Sequence, residues 1–298
     1  MNPQIRARLA ALGTELSPAL IEGTQRMFAE SWSGLAPDTL VERDCAYGPH
    51  ERHRLDVFSA AGRRAAPVLL FVHGGGFVMG DKRSPDLPYY DNIGDFAVRN
   101  GWVGVTMTYR LAPAHPWPAG SEDVASAIAW LHANIAAHGG DPRRIVLMGQ
   151  SAGAVHAAGY VAHARFHAAN GPGLAGAILV SGIYDVAAAS VNQFHLAYYG
   201  EDRAAWPACS TLEGLVGTDL PLMLSVSEFD GADFQRQAAA FVSAYAAAHG
   251  RFAPLHWLPG HNHLSPVLAI GSPGETLGPL IRSFVTTVCA EHDRVSAA

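Results

Sequence analysis

Residues 145–162 read IVLMGQSAGAVHAAGYVA, and their meaning rests on a change of period at one serine. IVLMG (145–149) is a short, wholly apolar run of the length and β-branched content of a strand buried on both faces. From Ala152 to about Phe166 the spacing becomes helical. Between the two lies G149-Q-S-A-G153, a G-x-S-x-G string at a strand-to-helix turn. Such a turn holds its serine in a strained conformation and brings strand and helix backbones together, so the flanking glycines keep side chains out of the way. It also sets Ser151 at a helix N-terminus, where exposed N–H groups favour developing negative charge. The string alone recurs by chance; its placement makes Ser151 a candidate nucleophile.

Outward from this turn the chain alternates regularly. PVLLFVH (67–73), WVGVTMTYR (102–110), LAGAILVSG (174–182), PLMLSVS (221–227) and FAPLHWL (252–258) are further buried-strand runs. Helical stretches fall between them: one ending near Arg99, one from an N-cap at Ser121 to about His138, then Asp233–His249 and Glu275–Ala290. The first forty residues read as helix, with Ser17 as N-cap and Pro18 at N1. AYGPHERHRLDVFS (46–59) suggests an antiparallel hairpin. Strands buried on both sides and alternating with helices predict an α/β fold: a mainly parallel sheet of roughly eight strands with helices on both faces. Only residues 186–215 break the alternation. This stretch, with Phe194, Tyr198, Tyr199 and Trp206, reads as an insertion over the C-terminal edge of the sheet. The expectation is one domain over residues 1–298, with 1–40 and 186–215 as elements of a small helical cap.

Composition narrows the partners. A net charge of −6 and the absence of any Lys/Arg run argue against a nucleic-acid surface. Cys45, Cys209 and Cys289 have no disulfide-framework or CxxC spacing, and the N-terminus lacks a signal-peptide pattern; both fit a cytoplasmic location. No eighteen-residue apolar run predicts a membrane span. Fifteen histidines invite a metal reading, but His163 with His167, and His261 with His263, lack the further converging ligands that a zinc site needs. Neither metal nor cofactor is expected, and a homodimer is compatible with the sequence.

The chemistry is carried by three more places in the chain. H73-G-G-G-F77 follows a buried strand and leaves backbone N–H groups open to a ligand, as an oxyanion hole requires. Its candidate donors are the amides of Gly75 and Gly76, with that of Ala152 after the serine. His73 reads as a brace for the loop, and Phe77 as a wall of the substrate pocket. An acid and a base should then follow the serine, in that order, on loops after later strands. Glu228, Asp230 and Asp233 follow PLMLSVS; His261 and His263 follow FAPLHWL. A histidine would take the serine's proton and a carboxylate would orient and stabilise it. His156 reads as a helix-face residue, and Asp123 and Asp185 as structural.

Taken together, HGGGF (73–77), YRLAPAHPWPA (109–119), EDVASAIAW (122–130), GQSAG (149–153), EFDGAD (228–233) and GHNHLS (260–265) resemble the hormone-sensitive-lipase-like bacterial carboxylesterases of the α/β-hydrolase fold. The likeness runs from about Val41 to the C-terminus. It implies Asp230 as the acid, with Glu228 a structural neighbour, and His263 as the base. It further implies hydrolysis of small to medium esters through an acyl-enzyme, with a small-molecule ester as partner. YGPHERHRLDVF (47–58) and YYG (198–200) are similar to a neighbouring subgroup that includes kynurenine formamidases, so formamide hydrolysis is the alternative activity. A non-catalytic ligand-binding role, as in related plant hormone receptors that lack the histidine, is the reading from another class.

Overall fold

Strands form where β-branched and aliphatic residues run unbroken, and their side chains alternate between two cores. In β3 (Ala66–Val72), Val68, Leu70 and Val72 enter one core while Leu69 and Phe71 enter the other. In β5 (Gly140–Gln150), Ile145 and Leu147 oppose Val146 and Met148 in the same way. A computed structural model describes residues 1–296, with side chains through residue 291. Fully burying each such aliphatic side chain contributes about 1.5–3 kcal/mol, so the sheet is stabilised from both faces.

The remaining strands are β1 (Thr39–Ala46), β2 (Arg54–Ala60), β4 (Val103–Met107), β6 (Gly176–Val180), β7 (Leu222–Phe229) and β8 (Leu255–Asn262). They form one eight-stranded sheet in the order β1-β2-β4-β3-β5-β6-β7-β8. β2 is antiparallel to β1 and β4, and every other pairing is parallel. One face is covered by α4 (Ala119–Asn134), α5 (Ala152–Ala162), α7 (Leu212–Gly217) and α8 (Ala232–His249). The other is covered by α1 (Pro3–Ala11), α2 (Pro18–Ala29), α3 (Asp91–Arg99), α9 (Ser265–Leu268) and α10 (Leu277–Ser296). The expected sheet and its helical layers are therefore present. Among the described residues, no helix is long and apolar enough to cross a membrane.

Local departures have physical reasons. Ser17 caps α2 as expected, its Oγ accepting from Leu20 N at 3.2 Å. Ser121 does not cap α4, which begins at Ala119; it is buried, and its hydroxyl donates to the carbonyl of His156 across the α4–α5 contact. The first hairpin strand starts earlier than expected, at Thr39, because it pairs with β2 as far as Ala60, with a bulge between Glu42 and Cys45 that lets the ladder continue on both sides. β8 begins later than FAPLHWL suggests and runs on to Asn262, leaving Phe252 exposed outside it.

The stretch after β6 contains α6 (Gln193–Tyr199), a 3₁₀ turn over Arg203–Cys209, and α7. Its aromatics form a third apolar cluster, in which Tyr198, Tyr199 and Trp206 are buried together with Phe77, Ala152 and Val155. This segment thus packs directly on the glycine loop and the start of α5. The two N-terminal helices pack elsewhere, by the β7–β8 edge of the sheet: Arg6 of α1 ion-pairs with Glu228 of β7, and Thr24 of α2 accepts from Asn262 Nδ2 at 2.8 Å.

Candidate active site

Three strands end one residue short of a chemically active side chain. β5 ends at Gln150 and is followed by Ser151; β7 ends at Phe229 and is followed by Asp230; β8 ends at Asn262 and is followed by His263. A residue just past a strand end is free of the ladder but anchored by it, which suits a side chain that must be both exposed and fixed.

Ser151 has φ 55° and ψ −121°, a strained left-handed conformation for a non-glycine residue. Its N–H donates to Val180 O at 2.9 Å, and its carbonyl starts α5 by accepting from Val155 N at 3.1 Å. The flanking glycines are required by the close approach of backbones. A Cβ on Gly149 would overlap the carbonyl of Gly153, and one on Gly153 would overlap the carbonyl of Val72 in the neighbouring strand.

His263 Nε2 lies 2.8 Å from Ser151 Oγ, and His263 Nδ1 lies 2.6 Å from Asp230 Oδ1. Asp230 Oδ2 accepts from Ser181 Oγ at 2.7 Å and from the backbone N–H of Ser227 at 2.6 Å. With its oxygens filled in this way, the carboxylate is an acceptor for the imidazole, so the proton resides on Nδ1 and Nε2 accepts from the serine. Asp230 and His263 are buried, and the ring of Phe234 lies over the imidazole with centroids 4.2 Å apart.

The other candidates point elsewhere. Glu228 is held by Arg6 and by the N–H of Gly260, and the Arg6 guanidinium keeps its carboxyl below the usual range. Asp233 accepts from Ser190 N at 2.9 Å. His261 spends both nitrogens on hydroxyls, Nδ1 with Ser265 Oγ at 2.8 Å and Nε2 with Thr276 Oγ1 at 2.5 Å. Asp123 joins His53 and Arg110, and Asp185 accepts from Ala188 N.

The glycine loop turns back on itself, with Val78 N and Met79 N both donating to Gly75 O. Gly75 at φ 130° and Gly76 at φ 58° lie where L side chains are disfavoured, and a Cβ on Gly75 would overlap Met79 O. Among the described residues, the N–H groups of Gly75, Gly76 and Ala152 have no acceptor within the protein. His73 braces this loop. Its Nδ1 donates to Gly74 O at 2.6 Å, and its ring stacks on Tyr109, whose hydroxyl donates to His73 O.

Phe77 is 4% exposed and stacks on Tyr198 with centroids 4.4 Å apart and planes within 5°, so its ring is packed into the aromatic cluster. The half-buried ring of Phe194 also lies against the glycine loop, 3.0 Å from where a Gly76 Cβ would stand. His156, expected on a helix face, is wholly buried in the same cluster and accepts from Tyr198 OH at 3.2 Å. His167 donates to Tyr160 O, and among the described residues no group of three His, Cys, Asp or Glu is disposed to hold a metal ion. Sequence reasoning did not single out Ser181, Ser227 or Phe234; Ser181 and Phe234 touch Asp230 and His263 through tertiary contact, Ser227 meets Asp230 across a local turn, and none carries a motif.

Burial holds three histidines neutral. It pushes His73 and His261 down to about 4 and His156 down to about 3, from an ordinary value of 6.5. Between pH 6.5 and about 4 the unfolded chain binds protons that the folded chain refuses, so stability rises with pH across this window and is lost on acidification. The free energy of unfolding is expected to be flat above pH 7 and to fall from pH 6.5 to 4.5, by a sum on the order of several kcal/mol at the acid end, and the melting temperature falls with it. A thermal melt series over that range checks this; a flat profile would show that these histidines are not buried as described.

The profile of the alpha/beta hydrolase fold family matches residues 69–264, more than half of the chain. The chain belongs to the alpha/beta hydrolase fold family. Among curated members of such enzymes, it is 42% identical over 116 residues to esterase LipQ of Mycobacterium tuberculosis, a match covering 37% of this chain and 26% of that one. To carboxylesterase NlhH of the same species it is 42% identical over 88 residues, 29% of this chain and 26% of the relative. The chain thus aligns with about a quarter of the length of these relatives. Among solved structures, esterase B from Lactobacillus rhamnosis superposes with a TM-score of 0.77 over 99% of this chain and 98% of that one, at 21% identity, a likeness of fold. An esterase of the bacterial hormone-sensitive lipase family superposes with a TM-score of 0.66 at 26% identity, covering 95% of this hydrolase-fold chain and 94% of the other.

Proposed function

We propose that this alpha/beta hydrolase is a serine carboxylic-ester hydrolase acting on small to medium esters through an acyl-enzyme. The observation that carries the reading is the continuous hydrogen-bonded line Asp230–His263–Ser151, ending beside the amides of Gly75, Gly76 and Ala152. In the reaction, Ser151 Oγ attacks the ester carbonyl while His263 Nε2 takes its proton. Negative charge develops on the carbonyl oxygen, where the three amides receive it; each such donor is worth about 3–4 kcal/mol in the transition state. His263 then gives its proton to the departing alcohol. Water repeats the sequence on the acyl-enzyme and regenerates Ser151. Asp230 holds the imidazole tautomer and stabilises the imidazolium throughout.

The similarity to the mycobacterial esterases and to the hormone-sensitive lipase-family structure supports the ester as the substrate class. The segment 186–215 serves as the cap over one hydrolase domain, on the strength of its packing against Phe77 and Ala152. Three thiols outside any disulfide support the reducing, cytoplasmic setting inferred from the sequence.

A substrate comparison tests the activity. kcat/KM for p-nitrophenyl acetate and butyrate is expected to exceed that for an aryl formamide by roughly a hundredfold or more, because an amine leaves only after protonation. A formamide turned over as fast as the esters would replace this reading with the formamidase one. Failure of a fluorophosphonate to label Ser151 would replace it with a binding role.

A further inference from the structure

Strands β5 and β8 are separated in the sheet by β6 and β7, so Ser151 and His263 spring from strands about 14 Å apart at the usual inter-strand spacing. Their 2.8 Å hydrogen bond therefore depends on how far the loop after β8 leans across the strand ends. Asn262 shapes that loop. Its Oδ1 accepts from Leu264 N and Ser265 N, and its Nδ2 is tied to Thr24. These contacts fix the turn itself and its outer side. They do not reach toward the nucleophile.

Gln150 does. It is the last residue of β5, adjacent to Ser151, and is wholly buried. Its Nε2 donates to the carbonyl of His263 itself at 3.0 Å. Its Oε1 has no hydrogen-bond partner among the described residues and lies against Gly74, where a Cβ would overlap it. One side chain thus starts at the nucleophile turn, passes beside the glycine loop and grips the backbone of the base.

We propose that Gln150 is a positioning residue for the general base, fixing His263 Nε2 at proton-transfer distance from both Ser151 Oγ and the leaving-group oxygen. It acts through His263 and touches no reacting atom. The inference rests on the ester-hydrolase reading, and the test separates the two: failure of that reading shows as no turnover by the parent enzyme.

Gln150→Met keeps length and volume but removes the amide. Gln150→Glu replaces the N–H donor with an oxygen. Both are assayed for kcat/KM on p-nitrophenyl butyrate and on ethyl butyrate. p-Nitrophenolate departs without a proton, whereas the ethyl leaving group needs one from His263, so a displaced base slows the ethyl ester more. The ratio of the two kcat/KM values does not depend on the fraction of enzyme folded, which a merely structural role would change. The expected result is a fall in the ethyl-to-p-nitrophenyl ratio by roughly tenfold in both variants. A ratio that stays above about one third of the parent's value in both variants overturns the proposal, however far the separate activities drop. A fall below that mark in either supports it.

Discussion

Ser151→Ala is expected to lower kcat for short-chain p-nitrophenyl esters by about 10⁴-fold or more, while the melting temperature stays within a few degrees of the parent. The stability half of this expectation follows from the backbone. Ser151 is held at φ 55° by the clash-free glycines on either side and by its N–H bond to Val180, none of which involves the hydroxyl. Alanine meets the same left-handed strain as serine and loses one hydrogen bond, to His263. The activity half follows from the acyl-enzyme route, which has no other nucleophile at this position. A residual rate from the oxyanion amides and substrate binding is expected to persist. The double variant Ser151→Ala/His263→Ala should be no slower than the single one, because the two residues act as a unit. Steady-state kinetics with a thermal melt on the same preparations checks both halves. Turnover retained within tenfold would remove Ser151 from its role.

The second large effect divides the two histidines. His263→Ala is expected to cost about 10⁴-fold in kcat with little change in KM, since the lost group acts on the proton and not on substrate binding. His261→Ala is expected to keep kcat within a few-fold. Its nitrogens face Ser265 and Thr276, so the loss appears as stability, roughly 1–3 kcal/mol for the hydrogen bonds of a buried imidazole to one buried and one half-buried hydroxyl. Parallel kinetics and denaturant melts decide it. If His261→Ala were dead and His263→Ala active, the base would have to be reassigned.

Why the histidine pair was hard to separate from sequence has a physical answer. In an extended chain, residues two apart share a face, so His261 and His263 have equal claims while β8 is imagined to end at Leu258. The strand in fact continues to Asn262, whose side chain caps a turn and carries His263 out of the ladder. The acid shows the same division: Glu228 lies within β7 and Asp230 one residue beyond it. What distinguishes each pair is where the strand stops, the feature that residue periodicity locates least well. The elbow was legible because its constraints are local: two glycines, a serine, and a change from strand to helix period within five residues. Ser181 and Phe234 were not, because their contacts with Asp230 and His263 join separate elements; Ser227 was not, because its bond to Asp230 depends on the turn that forms where β7 stops. Phe77 carried a local signal, its place after three glycines, but the destination of its ring depended on Tyr198, more than a hundred residues away.

That ring stack bears on attempts to retune the proposed esterase by exchanging residues 186–215, the proposed cap. Phe77 closes the glycine loop on one side and lies flat on Tyr198 of α6 on the other, with Tyr199 and His156 at its edges. Residues 186–215 and the glycine loop are therefore not separable modules joined at two hinges. A donor cap grafted over residues 186–215 brings its own surface to the underside of the loop. Unless it presents a flat aromatic at the position of Tyr198, Phe77 loses its neighbour and the loop loses its backing. Recombination of caps between such enzymes has to be planned as an exchange of pairs, in which the residue after the glycines travels with the segment that covers it.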